Sequence, residues 1–255
     1  MRNSSDYRNR VSSEKTVVEE ICRRGILKAG MTGDYPPLSC LEHGTGRYIG
    51  FDAELAKDLA DSLDVELAFV KTSWTSLMED VRAGKFDLAV SGITITDVRK
   101  EQALMSDGYL ENGKTILCRA EDAGRYTGLH AVNQPDVRVM VNPGGHNERF
   151  ARENFPDAVL MIHEINPEIP FLVACNRADI MITEVVEAAY YVRQADRLAA
   201  PLIHKPFTHG ELGILMPKGS EGLANYVNEF LRKEKESGRI NGLAAKYFTS
   251  SSAQG

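Results

Sequence analysis

The chain has 255 residues, of which 43% are hydrophobic, and its net charge is −6. This length predicts one large or two medium-sized domains with a sizeable core. Apart from two short basic clusters there is no basic face of the kind that phosphate binding needs, so nucleic acid is not an expected partner. No apolar run approaches the roughly 20 residues of a membrane helix.

The first 16 residues are polar and lack the apolar segment of a signal peptide, so we interpret residues 1–16 as a disordered leader. Four cysteines follow at widely separated positions and match no metal or redox pattern. Cys118 and Cys175 have apolar neighbours and are predicted to lie in the core. Cys22 and Cys40 could pair, although nothing in the sequence requires it.

Helix and strand patterns alternate through the first part of the chain. Leu55 and Leu59, for example, recur at helical spacing. An order of β-α-β-α-β predicts a parallel sheet covered by helices. The predicted elements are a helix at Val17–Arg24, a strand at Ile26–Met31, a helix at Phe51–Leu63, a strand at Val65–Val70, a helix at Trp74–Ala83 and a strand at Asp87–Val90.

A cluster of ligand-type residues follows the last of these strands. Gly92 lets backbone N–H groups approach a ligand, Thr94 offers a hydroxyl, and Arg99 offers a planar fork that fits a carboxylate. Ligands bind beyond the carboxyl ends of strands in open α/β sheets, so Ser91–Arg99 is predicted to form a carboxylate-binding corner. The alternative is an ordinary helix start, with Thr96 as its N-cap and Arg99 on the surface.

A second series of strands and helices begins near Val137. Thr183 is predicted to cap one of its helices. The elements are strands at Val137–Val141, Ala158–Ile162 and Asp179–Ile182 and helices at Glu148–Asn154, Pro170–Cys175 and Glu184–Arg193, followed by a strand at Leu212–Met216 and helices at Glu221–Ser237 and Ile240–Tyr247.

The two series share a local pattern, because Ala83–Val90 and Cys175–Ile182 both run from a helix end through an aspartate into an apolar strand. Two similar lobes facing each other would place Ser91–Arg99 opposite Thr183–Glu187 across a cleft, a preferred place for a small-molecule site. We therefore predict an α/β fold of two lobes. Lobe 1 is predicted to contain residues 17–116 and 212–250 and lobe 2 residues 117–211, with a tail at 251–255 and a two-strand hinge whose crossings lie near Thr115–Arg119 and Phe207–Leu212.

Several motifs between Gly25 and Phe248 resemble one known family. They are Gly33–Pro37, Gly50–Ala56, Ser73–Leu77 and Ser91–Arg99, followed by the closing amphipathic helices. The chain resembles the type II periplasmic binding proteins of solute-binding family 3, a family whose members bind polar amino acids. This resemblance implies the two-lobed fold and a periplasmic or other extracytoplasmic location.

Three further motifs, Asn112–Thr115, Asn142–Ala151 and Thr183–Ala188, resemble the cyclohexadienyl (prephenate or arogenate) dehydratases. Those enzymes are lyases with the binding-protein fold. The resemblance implies that Glu187 is the general acid. It also implies a ligand carboxylate held by Arg99, Thr94 and the Ser91-Gly92 backbone, a ring covered by Tyr35 and Trp74, and closure from the second lobe by Asn142, Gly145, His146 and Asn147.

Two residues depart from the family pattern. His146 stands where a threonine is usual, and it could be a general acid, a second carboxylate ligand or a loop histidine. Glu184 stands where amino-acid binders usually have an aspartate that holds the ligand ammonium. Glu184 and Glu187 could share one face of a helix start, and mutual repulsion in a closed cleft would then raise the pKa of one of them. The alternative is that both acids simply decorate the helix.

These expectations lead to two functional hypotheses. The first is a lyase that converts prephenate or arogenate into phenylpyruvate or phenylalanine, with loss of water and carbon dioxide. The second is a binding protein that delivers an amino acid or related carboxylate to the membrane component of an ABC importer. Neither requires a cofactor, and the spacing of the histidines predicts no metal site.

Overall fold

A computed structural model describes residues 17–249 of the chain. The predicted leader at 1–16 and tail at 251–255 lie outside the described residues. Helices and strands alternate over most of the described length, and the predicted α/β class is confirmed.

The helices lie close to their predicted positions. The largest differences are at the third helix, which begins three residues after Trp74, and at the last, which ends at Ala244, three residues before Tyr247. Trp74 lies in the turn before its helix. The α-helices are α1 (17–24), α2 (Phe51–Ser62), α3 (Leu77–Arg82), α4 (Asp97–Gln102), α5 (Leu129–Val132), α6 (His146–Asn154), α7 (Ile169–Ala174), α8 (Val185–Gln194), α9 (Glu221–Glu236) and α10 (Arg239–Ala244), with 3-10 turns at Ala120–Asp122 and Asn166–Glu168 and a π-helical turn at Ala245–Thr249. Helices α4 and α5 were not among the predicted elements.

The strands form two larger sheets and two small ones. The strands are β1 (Ile26–Met31), β2 (Asp34–Tyr35), β3 (Ser39–Leu41), β4 (Tyr48–Ile49), β5 (Glu66–Lys71), β6 (Leu88–Ala89), β7 (Leu104–Met105), β8 (Leu110–Asn112), β9 (Lys114–Arg119), β10 (Arg138–Val141), β11 (Val159–Ile162), β12 (Ile180–Glu184), β13 (Leu198–Ala199), β14 (Gly210–Leu212) and β15 (Leu215–Met216).

The first larger sheet has the order β5-β1-β6-β15-β7. Strand β1 pairs in parallel with β5 and β6, as expected for β-α-β units, and β15 joins antiparallel near the end of the chain. Helices α2 and α9 pack with this sheet around a shared core that includes Leu55, Leu59 and Phe230. We call the elements around this sheet lobe 1.

The second larger sheet has the order β11-β10-β12-β9-β13, and we call the elements around it lobe 2. Its two faces pack against different clusters of side chains. Ile180 and Ile182 of β12 belong to one cluster and Met181 to the other, because successive strand residues point to opposite faces. A sheet covered on both faces holds its loops in defined positions.

The chain passes between the two sheets through β8 and β14, which pair antiparallel in a sheet of their own. The second passage, Gly210–Leu212, lies within its predicted range. The first prediction was wrong, because Thr115–Arg119 belongs to β9, which pairs with β12 inside the second sheet. Strand β9 is apolar because it lies between β12 and β13 inside the second sheet, and it is not part of the hinge.

All four cysteines are free, so Cys22 and Cys40 do not form a disulfide. Cys118 is buried as predicted. The prediction for Cys175 was wrong, because this residue is exposed at the end of α7. Its apolar neighbour Val173 occupies the buried face of that helix, and Cys175 falls on the opposite side.

Candidate active site

A cavity of about 320 Å³, including its solvent-open mouth, lies between the lobes at the carboxyl ends of β6, β10 and β12. Every predicted ligand-binding residue except Ser91 lines it. Two residues that the sequence analysis did not single out also line it. The full set is Tyr35, Trp74, Gly92, Thr94, Arg99, Lys114, Asn142, Gly145, His146, Asn147, Asn166 and Glu184.

Arg99 supplies positive charge from lobe 1. It lies in the first turn of α4, where Thr96 is the N-cap and accepts a hydrogen bond from the Arg99 backbone N–H at 3.3 Å. Its Nη1 donates to the carbonyl of Thr94 at 2.6 Å, which orients the guanidinium. Burial lowers the pKa of Arg99 to about 10, so the side chain remains charged at neutral pH. Among residues 17–249, no carboxylate forms an ion pair with Arg99, which leaves its charge available to an anion.

The backbone contact to the ligand that we expected from Ser91 and Gly92 stays a prediction, and the structure shows other partners for both residues. The Ser91 side chain is buried outside the cavity lining and hydrogen bonds to Thr32. The Gly92 N–H donates to the buried carboxylate of Asp52 and is therefore already paired. Gly92 instead serves packing, because a Cβ at this position, where φ is +64°, would lie 2.4 Å from the Tyr35 ring. Local sequence did not reveal the partner of Gly92, since Asp52 lies on α2, 40 positions earlier in the chain.

Two aromatic rings form one wall. Tyr35 and Trp74 meet edge to face, with ring centroids 5.8 Å apart and an interplanar angle of 89°. The Trp74 indole N–H donates to Asp34 Oδ1 at 3.0 Å, which fixes the ring. The two rings stand at right angles and form an apolar corner that can pack against a ring of a ligand.

Lobe 2 contributes the N-terminal end of α6. His146 is the first residue of this helix, which begins two residues earlier than predicted, and Gly145 is its N-cap. Burial and the nearby Lys114 ammonium lower the pKa of His146 to about 4, so its ring is neutral at pH 7. The helix end itself favours an anion. His146 therefore faces the cavity as a neutral hydrogen-bonding side chain.

Glu184 forms a buried ion pair with Lys114, whose Nζ lies 2.7 Å from Glu184 Oε1. Three further donors complete its shell: Thr94 Oγ1 at 2.7 Å, Tyr35 OH at 2.6 Å and Asn112 Nδ2 at 3.0 Å. Burial alone would raise the pKa of Glu184, but the Lys114 ammonium and these donors outweigh it and lower the pKa to about 2. Two donors per oxygen leave little capacity for a ligand ammonium.

Glu187 lies on α8, fully buried, one hydrogen bond away from the cavity wall. Its Oε1 accepts from Asn166 Nδ2 at 2.7 Å, and its Oε2 is bonded to the Thr183 hydroxyl. Burial raises the pKa of Glu187 to about 8 against the effect of these two hydrogen bonds, and the charges of Asp34 and Glu184 add to the rise. The carboxyl is therefore protonated at neutral pH, and burial contributes more to this than the repulsion between the two glutamates that we expected.

The predicted capping role of Thr183 was wrong. Thr183 lies within β12, the N-cap of α8 is Glu184, and no side chain caps this helix. The Thr183 hydroxyl reaches Glu187 instead. A threonine four residues before a glutamate at a strand-to-helix junction can serve either purpose, and the strand extends further than its apolar residues indicate.

Lys114 and Asn166 are the lining residues that the sequence analysis missed. Lys114 is the first residue of the apolar strand β9. Because a lysine is rarely buried unless it is paired, its place at the start of a buried strand could have predicted an ion pair. Asn166 begins the 3-10 turn after β11 and precedes a proline, a pattern common to many loops. The residues next to Asn166 in the sequence therefore did not predict that it lines the cavity.

Two further observations bear on the chemistry available. Among residues 17–249, no group of three or more His, Cys, Asp or Glu side chains is placed to hold a metal ion. Within the same range, no helix has the length and apolar character needed to cross a membrane.

Comparison with known proteins identifies the family. Residues 27–250 match the family described as bacterial extracellular solute-binding proteins, family 3. A cyclohexadienyl dehydratase of Pseudomonas aeruginosa is 36% identical over 230 residues, which cover 90% of this chain and 85% of that protein.

Two solved structures are similar over 91% of this chain. One is an ancestral amino acid-binding protein described as a precursor of cyclohexadienyl dehydratase, with 38% identity, a TM-score of 0.85 and 100% of its own length covered. The other is an ancestral cyclohexadienyl dehydratase, with 48% identity, a TM-score of 0.57 and 96% of its length covered. The two-lobed fold predicted from sequence is confirmed, and the chain belongs to the bacterial extracellular solute-binding proteins of family 3.

Proposed function

We propose that the protein is a lyase of the cyclohexadienyl dehydratase type, acting on prephenate, arogenate or both. The observation that carries this proposal is Glu187, a buried carboxyl group whose raised pKa keeps it protonated beside an anion-binding cavity. A carrier of carboxylates has no use for a proton donor there, whereas a dehydratase requires one. The similarity to two cyclohexadienyl dehydratases supports the same conclusion.

The reaction needs few catalytic groups, because formation of an aromatic ring drives it. In the proposed step the Glu187 carboxyl gives its proton to the oxygen of the ring hydroxyl, and the C–O bond breaks with its electron pair. The C–C bond to the ring carboxylate breaks at the same time, and its electron pair completes the aromatic ring. The products are water, carbon dioxide and phenylpyruvate or phenylalanine, and Glu187 regains its proton from solvent.

The other cavity residues hold and enclose the substrate. Within residues 17–249 no carboxylate forms an ion pair with Arg99, so its guanidinium is the expected anchor for a substrate carboxylate. The N-terminal end of α6 favours a second anionic group from the opposite lobe. Tyr35 and Trp74 would cover the ring and exclude water. These residues would raise the rate by orienting the substrate, while Glu187 would donate the proton.

The alternative function is delivery of an amino acid to an ABC importer. Such a protein must hold the ligand ammonium, and the expected carboxylate for this is Glu184. Four internal donors already occupy Glu184, among them the Lys114 ammonium. This arrangement argues against the carrier function and, for the proposed lyase, favours prephenate, which has no ammonium group, over arogenate. For either function we propose an extracytoplasmic location, which the family description supports.

The two functions are separated by a direct assay. We expect purified protein to convert prephenate, arogenate or both, followed by ultraviolet absorbance of the product and by release of carbon dioxide, against a protein-free control at the same pH. A carrier would instead bind an amino acid with micromolar affinity in calorimetry and leave both compounds unchanged. That second result would overturn the proposal.

A further inference from the structure

The side-chain amide of Asn166 donates two hydrogen bonds, one to each lobe. Its Nδ2 donates to Glu187 Oε1 at 2.7 Å and to the backbone carbonyl of Asp34 at 3.0 Å. Asp34 belongs to lobe 1, whereas Asn166 and Glu187 belong to lobe 2. The amide therefore touches the acid and spans the cleft, and its residue also lines the cavity.

These contacts determine which way the amide faces. Rotating it by half a turn would place Oδ1 against the Asp34 carbonyl, and two acceptors would then face each other. Because a carbonyl oxygen cannot donate, the hydrogen-bond network assigns Nδ2 to the Asp34 side. The acceptor Oδ1 must point elsewhere.

Oδ1 is buried and accepts no hydrogen bond from any group in residues 17–249. The residue as a whole is only 1% exposed. An unpaired acceptor of this kind is costly, and native structures rarely retain one without a use for it. Since Asn166 lines the cavity, a donor group on a bound ligand can meet this need.

We infer that Asn166 binds the substrate and that its Oδ1 accepts a hydrogen bond from the ring hydroxyl that leaves in the reaction. The inference rests on the proposed function, because it takes the hydroxyl-bearing ring as the ligand. It adds a contact that places this hydroxyl on the same Asn166 amide that donates to Glu187. One amide then holds the carboxyl through Nδ2 and the leaving group through Oδ1.

The arrangement suits the chemistry of the step. The hydroxyl donates its own hydrogen to Oδ1, which leaves the lone pairs of its oxygen free to take the proton of Glu187. The resulting water has two hydrogens and can keep its bond to Oδ1 as the C–O bond breaks. Asn166 itself gains and loses no proton.

The inference is tested by binding, with no turnover required. The probes are two saturated, unreactive analogues of prephenate that keep both carboxylates, one with and one without the ring hydroxyl. We expect wild-type protein to bind the hydroxylated analogue about tenfold more tightly, as one hydrogen bond to a buried acceptor implies. In N166A this preference should fall to about twofold or less, whatever the change in absolute affinity.

Two further variants keep the test decisive. N142A removes another amide from the cavity lining and should retain the tenfold preference, since Asn142 has no assigned contact to the hydroxyl. If N166A does not fold, as judged by its thermal transition, N166L replaces it with a side chain of similar size. An unchanged preference in the Asn166 variant, or its loss in N142A instead, would overturn the inference.

This test and the turnover assay can fail separately. A protein that shows the Asn166-dependent preference but converts neither compound would contradict the proposed lyase activity and leave the contact in place. A protein that converts prephenate but shows no Asn166-dependent preference would contradict the contact alone.

Discussion

Glu184 and Glu187 stand three residues apart where β12 meets α8, yet they hold opposite protonation states near neutral pH. The Lys114 ammonium and three uncharged donors outweigh burial at Glu184 and lower its pKa to about 2. Glu187 forms no ion pair with any group in residues 17–249, and burial raises its pKa to about 8. Two neighbouring carboxyl groups with separated pKa values are typical of sites that use one as an acid and keep the other charged.

The pH dependence of turnover follows from this arrangement. In the proposed mechanism Glu187 acts in its protonated form, so activity should be retained below its pKa and should fall as the pH rises through about 8. We expect a single descending limb in kcat between pH 7 and pH 10. A rate that stays constant to pH 10, or that increases with pH, would contradict the role of Glu187 as an acid.

Asp34, which lies in the opposite lobe, should affect the pH at which kcat falls. Its negative charge contributes to the raised pKa of Glu187. In D34N the charge is removed while an amide oxygen can still accept from Trp74, so the descending limb of kcat should move to lower pH. The exposed residue Asp61 offers a control, since D61N should leave the limb in place. A limb that does not move in D34N, or that moves to higher pH, would show that Asp34 has no such effect.

Lys114 should be essential for stability as well as for the state of Glu184. Because K114M leaves a buried carboxylate without its cation, we expect a loss of about 3–5 kcal/mol in the free energy of unfolding, measured in urea. The double variant K114M/E184Q removes the unpaired charge and should recover part of this loss. The exposed pair of Lys57 and Asp61 provides a control, and K57M should change stability little. Wild-type stability in K114M would contradict the buried pair.

Gly144 should control closure of the lobes. Its φ is +77°, and a Cβ there would lie 2.5 Å from Thr75 Cγ2 and 2.7 Å from Thr75 Cα, across the cleft. G144A should therefore lose about 1–2 kcal/mol of stability from backbone strain and should also raise KM about tenfold, because its extra atom opposes the closed form. G219A carries the same kind of strain, at φ +85°, but meets no neighbour within 4 Å. If both variants had the same KM, the contact with Thr75 would have no role in closure.

The fold and the corner around Thr94 and Arg99 were accessible from sequence because their signals are local. Leu55 and Leu59 recur with the helical period and are buried, and Thr94 and Arg99 follow an apolar strand within a few residues. In such patterns the neighbouring residues in the chain indicate whether a residue is buried and in which kind of element it lies. The position of the carboxylate-binding corner could therefore be predicted before any contact was known.

The remaining features depend on contacts between distant residues. Gly92 pairs with Asp52, and Asn166 meets Asp34 from 132 positions away. In both pairs, the residues next to one partner in the sequence give no indication of the other partner. The cause of the raised pKa of Glu187 is likewise burial by the whole fold, which no spacing between Glu184 and Glu187 could reveal.

The role of Glu187 as proton donor is tested most directly by the rate of prephenate conversion by E187Q at pH 7, compared with E168Q. Glutamine keeps the size and hydrogen bonds of the side chain but carries no acidic proton, and Glu168 is an exposed glutamate in the 3-10 turn that begins at Asn166. We expect kcat to fall at least about 100-fold in E187Q, with affinity for an unreactive substrate analogue retained, and to stay within about twofold of wild type in E168Q. Equal rates in the two variants would contradict the assignment of Glu187 as the proton donor.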